Sequence, residues 1–207
     1  MGINQHRETP ADLFEALNQE FRFDIDVAAD RSNRACHVWI TEHQDAMKTP
    51  WFPEGRESAF CNPPWESVHK WFDRACGETQ RTYGSTAVVV SHVTCAAKSV
   101  PWLEKADEIR FLVPRPQFKV PEGWWKCTTK GCGGEFFWPE LSGWPGDGES
   151  PGASFGLCPH CQGMCAPHKD SSNPRDVQVT VYRHMPVFNR SVAGFNDGPR
   201  FTYWNWK

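Results

Sequence analysis

The 207-residue chain has no apolar run of 18 residues, so nothing in it predicts a membrane-spanning helix and no membrane partner is expected. Its opening residues, MGINQHRETPADLF, lack the apolar core of a secretory signal, and export is not expected either. Basic charge is not in excess. Lys and Arg number 22 against 25 Asp and Glu, a net charge of -3, which excludes a protein that coats nucleic acid by bulk charge. Any nucleic-acid contact would need a local basic groove. Nor is the chain short of apolar residues: hydrophobic types make up 39% and charged types 23%, enough to bury a core and incompatible with a disordered tail. The length suits one ordinary domain, alone or with a small module attached.

What the chain has in excess is cysteine and tryptophan, 9 and 11 residues respectively. Without export, such cysteines are metal ligands or buried thiols more often than disulfides. Cys36, Cys61, Cys76 and Cys95 stand alone, and each reads as a buried or neutral thiol. Cys127, Cys132, Cys158, Cys161 and Cys165 crowd together where the composition also changes. Residues 121–170 are rich in Gly, Pro and Trp and poor in aliphatic side chains. They hold Lys126, Lys130 and Lys169 against Glu122, Glu135, Glu140, Asp147, Glu149 and Asp170, which accounts for the net charge of the whole chain. Such a segment cannot hold itself together by hydrophobic burial.

A metal supplies what burial does not. Cys127 and Cys132 form a C-x4-C pair, and Cys158 and Cys161 form a C-x2-C pair 25 residues further on. Short spacings let two sulfurs point at one ion, and the neighbouring glycines permit the tight turn that aims backbone N–H groups at sulfur. The pattern predicts a zinc ribbon with a structural Zn2+ on Cys127, Cys132, Cys158 and Cys161. Cys165 and His168 are spare ligands, either of which is able to replace one of the four. A redox CxxC would sit between a strand and a helix, a context absent around Cys158. A nucleobase deaminase would place proline before the pair, where Leu157 stands. A closed four-thiolate site also leaves no coordination position for water. Trp124, Trp125, Trp138 and Trp144 either contact DNA or cover the metal.

The remaining residues alternate helix and strand patterns. Leu13, Phe14, Leu17 and Phe21 recur at helical spacing over 11–21, with Thr9 placed to cap and Pro10 suited to the first turn. Residues 23–28 read as a short strand, 65–76 as a helix, 86–90 as an apolar strand, 99–106 as a helix, and 108–113 and 177–182 as strands. The alternation predicts an α/β layered fold with a largely parallel sheet. The cysteine-rich segment, 121–172, is then an insertion between core segments 1–120 and 173–207.

The most informative stretch is Cys61-Asn62-Pro63-Pro64-Trp65. An apolar strand end runs into two prolines, which fix the backbone and remove two N–H donors, so the turn presents carbonyl oxygens in a rigid array. Asn62 adds a side-chain acceptor and Trp65 a flat face. Acceptors beside an aromatic platform suit an exocyclic amino group on a flat heterocycle.

That tetrapeptide fits the [D/N/S]PP[Y/F/W] motif of amino-methyltransferases that use S-adenosylmethionine, and its surroundings resemble one family in particular. Thr9-Pro10-x-x-Leu13-Phe14, Phe23-Asp24-Ile25-Asp26-Val27-Ala28-Ala29, Asn33, Thr41-Glu42-His43-Gln44-Asp45-Ala46-Met47, Trp51 and Cys61 to Trp65 follow one another as in the phage-type, Dam-like DNA N6-adenine methyltransferases. The resemblance runs from about residue 8 to 120, resumes over 177–188, and leaves the cysteine-rich segment outside. It implies a Rossmann-like S-adenosylmethionine-dependent methyltransferase fold carrying the zinc ribbon as an insertion. It also implies double-stranded DNA as partner and the cytoplasm of a bacterial or phage-infected host as location.

By that resemblance Asn62, Pro63, Pro64 and Trp65 are catalytic. Thr9 and Pro10 lie against the methionine part of the cofactor, Asp26 closes the first strand at the cofactor site, and Asp45 receives the amino group of the cofactor's adenine. The sequence departs from the family in lacking a G-x-G after the first strand, where Val27-Ala28-Ala29-Asp30 stands, and in carrying Trp65 for the commoner Tyr. Other readings remain open. One is a zinc-ribbon nucleic-acid-binding module on an inactive methyltransferase-like scaffold. Another is a metal-dependent nuclease drawing on His160, His168 and His184, which leaves Asn62 to Trp65 unexplained. A third keeps the methyltransferase and changes the acceptor to cytosine, an Asn or Gln amide, or RNA adenine.

Overall fold

The apolar run that begins at Thr86 forms β3 (Thr86–His92), flanked in the sheet by β2 (Ser58–Cys61) and β8 (Val177–Arg183). Ala87 to Val90 on β3 and Val177, Val179 and Val181 on β8 have no exposure, as expected of central strands covered on both faces. The computed structural model describes residues 8–53, 55–118, 124–132, 135–137, 157–158, 160–167, 176–184 and 199–207. Among them six strands form one sheet in the order β1 (Ile25–Asp26), β2, β3, β8, β4 (Glu108–Val113), β9 (Arg200–Asn205). β8 runs antiparallel to both neighbours, while β1, β2, β3, β4 and β9 share one direction. The architecture is mixed α/β with a mostly parallel central sheet.

Helices cover both faces. α1 (Ala11–Phe21) buries Leu13 and Leu17 and lays Phe14 edge-on against Phe60 of β2, ring centroids 5.1 Å apart. Side chains alternate across a strand, so Ala59 and Cys61 face the other way. There they join Val68, Phe72, Ala75 and Cys76 of α2 (Val68–Arg81) in one buried cluster with Ile109 and Tyr182. Charge ties α1 to β4: Arg110 holds Glu20 through two bonds of 2.6 Å and reaches buried Glu108, which also meets Arg183 and Arg200. Burial alone would raise the Glu108 pKa, but the surrounding guanidinium groups outweigh it and hold the carboxyl below its ordinary value.

The chain divides into two compact units. The larger comprises Thr9–Gln117 and Asn173–Lys207, and contains the six-stranded sheet; the smaller comprises Phe118–Ser172 with Met1–Glu8. In the smaller unit β5 (Trp124–Cys127) is paired antiparallel with β6 (Glu135–Phe137) on one side and β7 (Cys165–Pro167) on the other. Its buried cluster is Trp125, Cys127, Cys158 and Cys165, with Cys132 packed against them. No helix among the described residues is long and apolar enough to cross a membrane.

Several elements differ from expectation. α1 is capped by Pro10 rather than Thr9: Pro10 has the extended ψ of 133° proper to a cap, its carbonyl accepts the Phe14 N–H, and no side chain caps the helix. The strand expected over 23–28 contracts to Ile25–Asp26: the Phe23 N–H turns to the Asn18 side chain, while the Asp24 and Val27 N–H groups still reach the Ser58 and Phe60 carbonyls of β2. The helix expected over 99–106 keeps α-geometry only in α3 (Val100–Leu103). It continues as tight turns from Lys105 to Trp102 and Ala106 to Leu103 before β4 begins. The helix expected from Trp65 begins with a 3-10 turn, Trp65–Ser67, and becomes α2 at Val68.

Candidate active site and candidate metal centre

Asn62 follows the last residue of β2, so a buried parallel strand delivers Asn62-Pro63-Pro64-Trp65 to the carboxyl edge of the sheet. β1 ends beside it, with Asp26 opposite Phe60. On its other edge Asp26 bridges Trp39, also in parallel. The chain therefore leaves β1, passes on one side of it at 38–40, and returns to β2 on the opposite side. Such a reversal opens a crevice outside the carboxyl ends of the two strands, the place where open α/β sheets bind ligands.

Within the motif Pro63 is buried and Asn62, Pro64 and Trp65 are half-buried. The Pro64 carbonyl accepts the Ser67 N–H at 3.4 Å and so is committed to the 3-10 turn. The Trp65 indole lies 5.5 Å from the imidazole of His92, the last residue of β3. His92 escaped sequence reading because the apolar run ends at Val90. The available signal was position: residues just beyond the run on a parallel strand arrive at the ligand-binding edge.

The residues expected at the cofactor fare differently from one another. Asp26 is 2% exposed, and its two carboxylate oxygens accept the N–H groups of Ala28, at 3.2 Å, and Ala35, at 3.0 Å. Burial pushes its pKa up to about 6, against the pull of those two N–H groups. The carboxylate thus folds the 27–35 loop over the end of β1. That loop has no glycine, and the small Ala28 and Ala29 stand where one was looked for.

Asp45 occupies a turn with a positive φ of 55°, and its carboxylate takes Lys48 at 2.7 Å and the Met47 N–H at 3.0 Å. The Lys48 hydrogen bond, followed by that of Met47, holds the carboxyl below its ordinary pKa. Trp51 fastens this turn to the core: its indole donates to the Ala46 carbonyl at 2.9 Å and its backbone N–H to Glu78 of α2 at 2.8 Å. Thr9 and Pro10 are half-buried at the start of α1, one turn before Phe14, whose ring touches Phe60. Among the lone thiols, burial and then Asp26 push Cys36 up to about 12 and Cys61 well above the ordinary thiol range. Cys76 is buried, whereas Cys95 is exposed.

In the smaller unit Cys127, Cys132, Cys158 and Cys161 bring their sulfurs within 4.8 Å of one another, with 3.6 Å from Cys127 to Cys161 and from Cys132 to Cys158. Four sulfurs about 2.3 Å from a zinc ion define a tetrahedron with edges of about 3.8 Å, so the thiol set fits that ion. Hydrogen bonds from the Thr129 side chain and backbone lower the Cys127 thiol to about 6. Burial pushes Cys158 up, but the N–H groups of Cys161 and His160 and the neighbouring thiols outweigh it, and the net shift is downward. Both shifts favour the thiolate that a metal requires.

Gly163 is needed for space: a Cβ there would stand 1.9 Å from Thr129 Oγ1 and 3.2 Å from Cys161 Sγ. Cys165, a spare ligand by sequence, lies opposite Cys127 across the β5–β7 ladder and is not one of the four gathered sulfurs. Burial, then the proximity of Cys158 and Cys127, pushes it up to about 12. Trp125 is 3% exposed among these thiols, which leaves it no face for DNA. His168, Trp138 and Trp144 lie outside the described residues.

A family model described as DNA N-6-adenine-methyltransferase (Dam) matches residues 4–135. The chain belongs to the Dam family. Membership implies methylation of adenine N6 in DNA, with S-adenosylmethionine as methyl donor. The Dam match extends past residue 120 through Cys127 and Cys132, so the first thiol pair lies inside it. Cys158, Cys161 and β8 lie beyond. No curated protein matches the chain.

Proposed function

We propose that the chain methylates the exocyclic N6 of an adenine extruded from double-stranded DNA, in the crevice beyond the carboxyl ends of β1 and β2. The observation that carries this reading is the exit of Asn62-Pro63-Pro64-Trp65 from a buried parallel strand at the point where the strand order reverses. Bound S-adenosylmethionine supplies an electrophilic methyl group on a sulfonium. Transfer to a neutral amine needs alignment more than a strong base, and holding the reactants in line lowers much of the barrier. The Asn62 amide oxygen and the Pro63 carbonyl accept the two amino hydrogens of adenine, while the Pro64 carbonyl keeps its turn. Positive charge grows on N6 as the methyl group arrives, and fixed carbonyl dipoles stabilise it. One amino proton then leaves to solvent. Trp65 stacks on the extruded base.

On this reading Thr9 and Pro10 contact the methionine portion of the cofactor. Asp26 contributes through the loop it holds, and Asp45 takes the cofactor's adenine amino group by exchanging Lys48. Exposed Arg31 and Arg34 follow β1, Lys98 follows β3 and Lys70 stands on the first turn of α2, four cations suited to phosphates around the crevice. Residues 1–120 and 173–207 form the catalytic core. Residues 121–172 form the zinc ribbon, with a structural Zn2+ on Cys127, Cys132, Cys158 and Cys161.

Asn62→Ala and Trp65→Ala are each expected to lower methyl transfer to DNA by about 10²-fold or more, the scale of losing one charge-stabilising group. The circular dichroism spectrum and zinc content should stay unchanged. Activity like that of the wild type in either variant contradicts the assignment.

A further inference from the structure

β3 delivers a residue to the Trp65 side of the crevice that neither the motif nor the family match singles out. β2 and β3 run parallel with Cys61 opposite Val89, so Asn62 to Trp65 and His92 reach the same edge of the sheet. The imidazole and the indole are 5.5 Å apart with planes inclined at 50°. Trp65 opens the 3-10 turn that runs directly into α2 at Val68.

His92 is firmly anchored. It pairs with Val177 in the β3–β8 ladder, and the Ser91 hydroxyl donates to its carbonyl at 3.1 Å. The chain stays pinned beyond it. The Val93 N–H donates to the Asp176 carbonyl at 2.9 Å and the Thr94 N–H to the Gln178 side chain at 3.4 Å. A ring on a rigid strand end thus abuts the ring that opens the turn into α2.

We propose that His92 is a positioning residue for the target base: its ring sets the orientation of the Trp65 indole, and with it the plane on which the extruded adenine stacks. The inference rests on the adenine methyltransferase reading of the same site. The role asks for a flat ring at the end of β3 and not for a proton or a hydrogen bond. Small misplacement of a reactant is costly in an alignment-driven displacement, so the effect belongs in turnover.

The test compares wild type, His92→Ala, His92→Phe and His92→Gln in the full chain, using unmethylated plasmid DNA and labelled S-adenosylmethionine. His92→Ala is expected to lower kcat by about tenfold or more while KM for DNA and Kd for S-adenosylmethionine move by less than about twofold. His92→Phe should recover most of the turnover and His92→Gln should not. The inference is overturned if His92→Ala turns over like the wild type, if the loss lies in KM or in thermal stability, or if Gln rescues where Phe does not. Wild-type protein that methylates no adenine overturns the functional reading together with this inference. An active wild type with an indifferent His92→Ala overturns this inference alone.

Discussion

In the larger unit the side chains without exposure include Leu13, Leu17, Trp51, Phe72 and the valines of β3 and β8; in the smaller, among the described residues, the buried cluster is cysteine thiols around one tryptophan. The first set is enough to hold a sheet and its helices by burial, at roughly 1.5–3 kcal/mol for each large side chain. The second is not among the described residues, where Trp125 is the one large apolar residue of its cluster. Chemistry follows the same division. On the proposed reading, the crevice with Asn62 and Trp65 stands on strands that hydrophobic packing makes rigid, whereas the four gathered thiols close the smaller unit around a zinc ion. The Dam match covers the first part of the larger unit, through Gln117, and ends within the smaller, between the two thiol pairs; β8 and β9 lie beyond it.

The difference is open to attack, first through the proposed zinc. Structural zinc contributes about 10–16 kcal/mol to the domain it closes. Chelation, or Cys158→Ser, should therefore expose 118–172 to proteolysis while the larger unit keeps its circular dichroism and its melting transition. Loss of both units together, or of neither, breaks the division. The reciprocal experiment is Phe72→Ala, expected to destabilise the larger unit by about 3–5 kcal/mol in urea denaturation and to leave zinc content unchanged.

A third expectation concerns pH. Asp26 has a folded pKa of about 6 against an ordinary value of 3.8, so the folded chain binds the proton more tightly than the unfolded one. Stability from this group is therefore greatest below the unfolded value. It falls as pH rises from about 4 to about 6, by about 3 kcal/mol, and stays level above. The difference in unfolding free energy between wild type and Asp26→Asn, measured from pH 4 to pH 7, should trace that fall; a flat difference contradicts the buried carboxyl. The smallest expected effect is that of Gly163→Ala. Its Cβ would displace the Thr129 hydroxyl that supports Cys127, at about 1–3 kcal/mol for overpacking. Metal affinity should weaken with no change in the larger unit.

Legibility followed the same line. β4 could be read residue for residue, and β3 and β8 nearly so, because β3 is a continuous apolar run and β4 and β8 are rich in β-branched and aromatic residues. β9 went unread: Phe201 and Tyr203 are exposed on a strand paired on one side only, and its polar and aromatic alternation carries no burial signal. The thiol set and the Asn62 motif are local in sequence, so spacing alone reveals them. Cys165 and His92 matter through strand register, which no spacing encodes. Asp26 was found, but not that its carboxylate turns inward to two backbone N–H groups, since that depends on a loop nine residues away.

The most direct test of the central claim is transfer of labelled methyl groups from S-adenosylmethionine to unmethylated DNA, followed by digestion and identification of the labelled nucleoside. The account predicts N6-methyl-2′-deoxyadenosine as the labelled product, lowered by about 10²-fold or more with Asn62→Ala. Label on cytosine, or label at the wild-type level in Asn62→Ala, would contradict it.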